Sequence, residues 1–384
     1  MRWLFPDPHD HEENAARHAV ESRIERWWSA FAGHAAEIHD SINDDSEFDV
    51  SVFMRGSLEQ IDQRLGWELA TSDDGDLLVI TPEHRLQLRP LVDAIIGRAP
   101  QVAGWEFLHA RPAEDPAEAL ATVEAETDNP LGHCEVSTAI DDMNRVTLKF
   151  YLPDAIDREL AAVQGTIAAE ALLGEEEFAR WIGRIEVVDR EDGAGWAPLA
   201  SLPGRVADEI DRIDARLYDT PLVKNVDRLQ WGLWRLSPPL KDEYPRQQDL
   251  IMGSSALESM SACAQLGQKF DSRRYSKSGE TFCFLKFDGD GRKIAARMEE
   301  RKHVEKAVND ALVAAGLGVV VGTGTGKKYS YLDLALTDVP RAIPVIIGQM
   351  RSAQVATRSW LLFHDAHLAD EWVAIHEDTP PPPR

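Results

Sequence analysis

The sequence predicts an α+β chain of two or three ferredoxin-like β-α-β-β-α-β units with antiparallel sheets, behind an extra N-terminal amphipathic helix. Three observations carry that expectation. Apolar residues switch repeatedly between a spacing of three or four, which suits a helix face, and a spacing of two, which suits a strand. The switches recur in a similar order along the 384 residues, although no repeat shows at the residue level. A hydrophobic content of 43% with 8% aromatics supplies enough apolar material for real cores and excludes wholesale disorder.

Taken in order, Val20, Ile24, Trp27, Trp28, Phe31, Ala35 and Ile38 lie on one stripe of a helix across residues 14–42. Phe48, Val50, Val52 and Met54 alternate as a strand, and Ser57 with Gln60 has the spacing of a capping box opening a short helix through Leu65. Residues 66–70 and 76–81 read as a hairpin turned at Asp74-Gly75. Leu88, Leu91, Val92, Ile95 and Ile96 restore helical spacing, and 105–109 closes the unit as a strand. Further on, 133–140 and 145–151 form a second hairpin turned by Asp141-Asp142-Met143-Asn144, in a unit that is either incomplete or has a weak first strand near 119–125. A helix over 161–173 continues at helical spacing through Phe178 and Trp181, and 185–188 is β-type.

Residues 189–250 read as a connector rich in Pro and Gly around one helical piece at 206–217. Within it Trp231 and Trp234 form an aromatic ridge if helical, either buried against a neighbouring module or exposed to a partner. The last unit is the clearest: Ser255 and Glu258 set another capping box before a helix to Leu266, followed by a strand at 281–287 and a charged helix at 295–315. A hairpin of 317–321 with 329–336, a helix at 339–350 and a strand at 359–363 complete it. The order places two helices on one sheet face and makes the other face a natural docking surface. The expected modules are therefore 1–112, 113–189, a connector at 190–250, and 251–384 with a Pro-rich tail.

Charge narrows the function classes. The chain holds 41 Lys and Arg against 66 Asp and Glu, for a formal charge of −25. That field argues against coating nucleic acid or an anionic membrane and favours basic partners. Residues 1–148 carry 30 acids and 11 bases, all Arg, and the first Lys is Lys149. This asymmetry reads either as a solubilising surface or as a face that steers a basic protein partner. Three scattered cysteines, Cys134, Cys263 and Cys283, make no disulfide framework or thiolate zinc site and point to a reducing cytoplasm. Neither a signal peptide nor a membrane span is expected, and the sequence does not set an oligomeric state.

Motifs add two weaker candidates. The string Gly322-Thr323-Gly324-Thr325-Gly326-Lys327-Lys328 resembles a phosphate loop, but a Walker A motif needs Gly where Val321 stands and Ser or Thr where Lys328 stands. Strand-like alternation on its far side favours a glycine-rich hairpin tip, with a backbone nest binding an anion through Gly324, Gly326, Lys327 and Lys328 as the alternative. His364, His367 and Glu371 would share one face of a helix at i, i+3 and i+7 and could hold a metal; a polar turn is the competing reading. The His9-Asp10-His11 cluster at the terminus reads as solvated. No serine elbow or cysteine signature is present, Cys283 reads as a core residue, and no cofactor is implied. Residues 269–328 hold 13 bases against 8 acids. RNA binding would need the aromatic RNP1 framing that Phe282, Phe284 and Phe287 lack.

The acidic, cysteine-poor composition, with ferredoxin-like order in the C-terminal part, resembles the regulator of ribonuclease E activity B family and bacterial multi-module proteins with ferredoxin-like units. The resemblance implies a protein-binding, non-catalytic role and carries over no functional residue. The expectation is a cytoplasmic regulatory protein that binds a basic partner through an acidic surface. The alternative is a small-ligand-binding protein or enzyme using the 322–328 turn with His364 and His367.

Overall fold

The computed structural model describes the chain apart from residues 43–47, 73–74, 154–156, 191–194, 290 and 384, so Asp74 of the expected hairpin turn lies outside the described residues. The protein is mixed α+β and divides into two compact units. One comprises Met1, Asp10–Asp141 and Arg145–Asp211; the other comprises Arg2–His9, Asp142–Asn144 and Arg212–Arg384.

The first unit opens with the expected helix, α1 (His11–Ile42), whose stripe from Val20 to Ile38 is buried as anticipated. Trp28 anchors it by donating Nε1–H to the Ile95 carbonyl at 2.8 Å and by meeting Phe107 edge-on. The alternating segment at 48–54, expected as a strand, is instead a helix, α2 (Val50–Ser57). Asp49 caps it by accepting from Val52 N at 2.9 Å, so the apparent alternation leaves Val52 outside and Met54 inside. Ser57 does not cap a further helix; its hydroxyl donates to the Phe53 carbonyl.

Strands β1 (Gly66–Ser72) and β2 (Gly75–Thr81) pair antiparallel, α3 (Arg89–Ile96) crosses over, and β3 (Trp105–Leu108) returns parallel to β2. The same plan follows again. Helix α4 (Pro116–Thr127) precedes the antiparallel pair β4 (Glu135–Ile140) and β5 (Val146–Tyr151). Then α5 (Arg158–Leu173), α6 (Glu175–Trp181) and β6 (Ile182–Val187) follow, with β6 parallel to β5. A two-residue strand β7 (Ala197–Pro198) pairs with β4, and α7 (Leu202–Asp214) follows.

Both halves therefore share an α-β-β-α-β order in which a parallel pairing follows an antiparallel hairpin, with the short β7 added antiparallel in the second half, instead of an expected first strand and an all-antiparallel sheet. The strand expected near 119–125 is the middle of α4, because Asp115 and Glu118 form a reciprocal capping box and Pro116 opens the first turn. The helix expected to run on through Phe178 breaks at Gly174, whose φ of +75° lies outside the helical region. Within this unit Glu175 accepts from Thr81 Oγ1 at 2.6 Å, and Arg111 pairs with Glu68, Glu83 and Glu170, tying the halves together.

The second unit is built on one seven-stranded sheet, every neighbouring pair antiparallel. Its elements are β8 (Gly232–Arg235), β9 (Leu250–Ser255), α8 (Glu258–Leu266), β10 (Thr281–Asp288), α9 (Ile294–Ala315) and β11 (Gly318–Gly326). After them come β12 (Tyr329–Leu336), α10 (Val339–Ser352), β13 (Ser359–Phe363) and β14 (Trp372–Ala374). The sheet order is β14-β13-β10-β12-β11-β9-β8.

Helices α9 and α10 cover one face through Val304, Val308, Leu312, Ala342, Ile346 and Met350, against Cys283, Leu285, Leu332, Leu334 and Leu361. The opposite face is not left open as expected. Met260 and Cys263 of α8 pack on Phe282, Val319 and Val321, and Leu250 packs with Phe284, Tyr329, Tyr331 and Trp360. A face carrying that much aromatic surface cannot stay in water without a large hydrophobic cost.

Three further expectations change. Trp231 and Trp234 belong to an edge strand and its approach, not a helix, and Trp234 lies over Gly253 while Trp231 remains exposed. Ser255 ends β9, and its Oγ accepts from Leu257 N instead of capping α8. The glycine string is not a hairpin tip: it is the second half of β11, buried throughout, and only Lys327 and Lys328 form the turn.

Candidate functional site

The alternation Gly-Thr-Gly-Thr-Gly sends all three glycines to the sheet face opposite α9 and α10, where they make a trough for side chains from other segments. A Cβ on Gly322 would stand 2.3 Å from Asp333 Oδ2, on Gly324 2.4 Å from Leu250 Cδ2, and on Gly326 2.3 Å from Asp249 Oδ2. Glycine is required there by close approach rather than by turn geometry.

Asp249 is the centre of this face. Fully buried, it takes the backbone N–H of Lys328 at 2.7 Å and of Tyr329 at 2.9 Å on Oδ2, and the Tyr331 hydroxyl on Oδ1. Its carbonyl accepts from Lys327 N at 2.9 Å. The amides of the turn at 327–329, which an anion would have to use, are thus engaged by a carboxylate of the protein itself. Lys328 Nζ reaches Glu243 at 3.0 Å, and Glu243 also accepts from Tyr329 OH and from Arg358. Burial opposes ionisation of Glu243, but these hydrogen bonds and the Tyr244 N–H outweigh it and hold the carboxyl down at about 2.

Beside them lies Lys286, 0% exposed in the middle of β10. Its ammonium donates to the Tyr244 carbonyl, sits 4.1 Å over the Tyr329 ring and lies 5.9 Å from the Trp360 ring centroid. Desolvation pushes it down to about 8, against the pull of Asp249 and Glu243. At the far end of the same face His364 meets Asp333 at 3.0 Å, where Gln247 Nε2 also donates at 2.7 Å, and the imidazole packs against Phe284 and Phe270.

The structure thus brings Gly324, Gly326, Lys328 and His364 to one internal polar face but separates His364 from its expected companions. Residues 364–371 are not one helix: β13 ends, and a single 3-10 turn spans Ala366–Leu368. Glu371 accepts the backbone N–H groups of Trp3, Leu4 and Phe5. His367 instead groups with Asp271 and Asp365, each offering a ligand atom within 4.8 Å of the others. Lys327 is exposed.

Sequence reasoning passed over Asp249, Lys286, Asp333 and Asp365. The signal was a single charge inside an apolar run, as in Phe284-Leu285-Lys286-Phe287 and Tyr331-Leu332-Asp333-Leu334. All three cysteines are free and buried; burial pushes the Cys134 thiol up to about 12 and the Cys283 thiol well above its ordinary range. Such thiols are poor nucleophiles.

The acidic character of the first unit has a local centre. Between Arg111 and Arg145 the chain has no Lys or Arg and nine acids. Asp115, Glu118, Glu124, Glu126 and Asp128, on and beside α4, are all exposed. Among the described residues no helix is long and apolar enough to cross a membrane.

Compared with known proteins, the chain matches no family model, no curated protein and no solved structure.

Proposed function

We propose that this chain is a non-catalytic cytoplasmic binding protein that engages a basic protein partner through the acidic surface of its first unit. The observation that supports the reading is α4: an exposed helix, capped at both edges of its sequence by acids and lying in a stretch without Lys or Arg. Such a surface attracts a cationic partner over a Debye length and discriminates against anionic ones. In this reading the second unit is a ferredoxin-like platform, since β13-β10-β12-β11 with α9 and α10 on one face follows that strand order. In this reading its buried charges Asp249, Lys286 and Asp333 serve packing, each being hydrogen-bonded within the protein. A regulator of the kind suggested by composition would work by occupying its partner's basic surface.

The test is capture from host lysate with the full chain as bait, at low salt and again at high salt. The expected result is one basic protein recovered in stoichiometric amount and released as screening shortens the range of the field. Background alone at both salts contradicts the proposal.

The competing reading, a small anion at the 322–328 segment, requires displacing Asp249 from the amides at 327–329. Calorimetric titration with ATP, GTP or inorganic phosphate checks it, and micromolar affinity would displace the first reading.

A further inference from the structure

We infer that Asp271, Asp365 and His367 form a binding site for one divalent first-row transition-metal ion, held by two carboxylate oxygens and one imidazole nitrogen. Their ligand atoms lie within 4.8 Å of one another. Ligands on opposite sides of an ion with bonds of about 2.1 Å stand about 4.2 Å apart, so this span is within a small side-chain adjustment of a single coordination shell.

The grouping is fixed by the backbone. Phe270 and Asp365 form a parallel β-bridge, and Ala366 N donates to the Phe270 carbonyl at 3.0 Å, which sets Asp271 beside the segment carrying Asp365 and His367. Asp271 opens one 3-10 turn, accepting from Arg273 N at 2.9 Å, and His367 lies inside another.

Asp365 is the inner ligand. It is buried and oriented by two hydrogen bonds from Ser272, the amide at 2.6 Å and the hydroxyl at 2.5 Å, and that hydroxyl in turn accepts from Phe282 N. Such a second layer fixes a carboxylate for a metal. Arg246, the nearby cation, is committed to the Phe363 carbonyl and the Phe284 ring.

Asp271 and His367 are half-exposed, giving the ion a path from solvent. A mixed nitrogen and oxygen set selects ions of the Mn2+ to Zn2+ series over Mg2+ and Ca2+, which prefer oxygen alone. Three protein ligands leave positions for water or for a bound molecule's oxygen.

The test uses the full chain without a His tag, stripped with chelator and titrated with Co2+ as an absorbing probe. One Co2+ per chain is expected, displaced by Zn2+ and indifferent to Mg2+. Affinity should fall in His367→Ala and Asp271→Asn by more than the roughly 10–100-fold that losing an orienting partner costs. The metal-free melts of these variants should stay at the wild-type value, and His9→Ala/His11→Ala should bind as wild type. No saturable uptake, uptake unchanged in His367→Ala, or uptake lost in His9→Ala/His11→Ala would overturn the assignment. The result is independent of the acidic-surface reading, which involves no residue of this group.

Discussion

Single residues on the sheet face of the second unit opposite α9 and α10 carry charges that apolar sheets do not tolerate without compensation, and each has a measurable consequence. Lys286 is the sharpest case. Its ammonium titrates near 8 in the folded protein against 10.5 for an ordinary lysine, so below pH 8 the unfolded chain holds the charged form at less cost. The unfolded state binds more protons between these values, and stability therefore rises with pH from about 8 toward 10. A shift of that size corresponds to about 3 kcal/mol, so Lys286→Met should be flatter than wild type over that window by a similar order. Denaturant titrations at pH 7.5, 8.5 and 9.5 measure it, and parallel profiles for the two proteins contradict the account. Gly326 makes a second test. A methyl group there collides with the Asp249 carboxylate, and Gly326→Ala should cost about 1–3 kcal/mol by overpacking and by loosening the turn amides. An unaltered denaturation midpoint would show that the trough has spare room.

At the scale of elements, what was legible followed from period and capping, and what was missed came from reading one signal without the other. The stripe Val20 to Ile38 in α1 and the hairpins β1-β2 and β4-β5 were readable because long periodic patterns determine which face is buried. At 48–54 the run is too short for period two to be distinguished from one turn and a half of helix, and the Asp49 cap decides. At 119–125 the Ala-rich run suggested a weak strand, although Asp115-Pro116-Ala117-Glu118 already held the stronger instruction. Removing that instruction with Asp115→Ala should cost about 1 kcal/mol, the usual worth of an N-cap, and a change in stability indistinguishable from zero would weigh against the cap's role. The glycine string shows the reverse failure. Its alternation with Thr was visible, yet its partners at 249, 250 and 333 are distant in sequence, so the reason for glycine could not be read locally.

At the scale of the whole molecule, chain order and spatial grouping diverge. Residues Arg2–His9 belong with the C-terminal unit, where Arg2 stacks on Trp372, Phe5 stacks on Phe363 and Glu371 takes three backbone N–H groups. The carboxylate at 371 was a weak metal candidate beside the reading of a polar turn; its neighbours in sequence gave no hint that the partner was the opposite terminus. Glu371→Ala should lower the stability of the second unit by about 1–3 kcal/mol, since the amides it satisfies lose their acceptor, and an unchanged unfolding curve would contradict that accounting. Charge is likewise a property of the molecule. The −25 total is legible from composition, but that five exposed acids of a stretch without Lys or Arg lie on and beside one helix needed the fold, because a weak strand was one of the two readings there. The central claim is that this helix is the docking surface for a basic partner. The most direct test is lysate capture run side by side with the wild-type chain and a Glu118→Gln/Glu124→Gln/Glu126→Gln variant at low salt. The account predicts that the basic protein retained by the wild type is lost from the variant while the variant's melt is unchanged. Equal capture by both chains would contradict it.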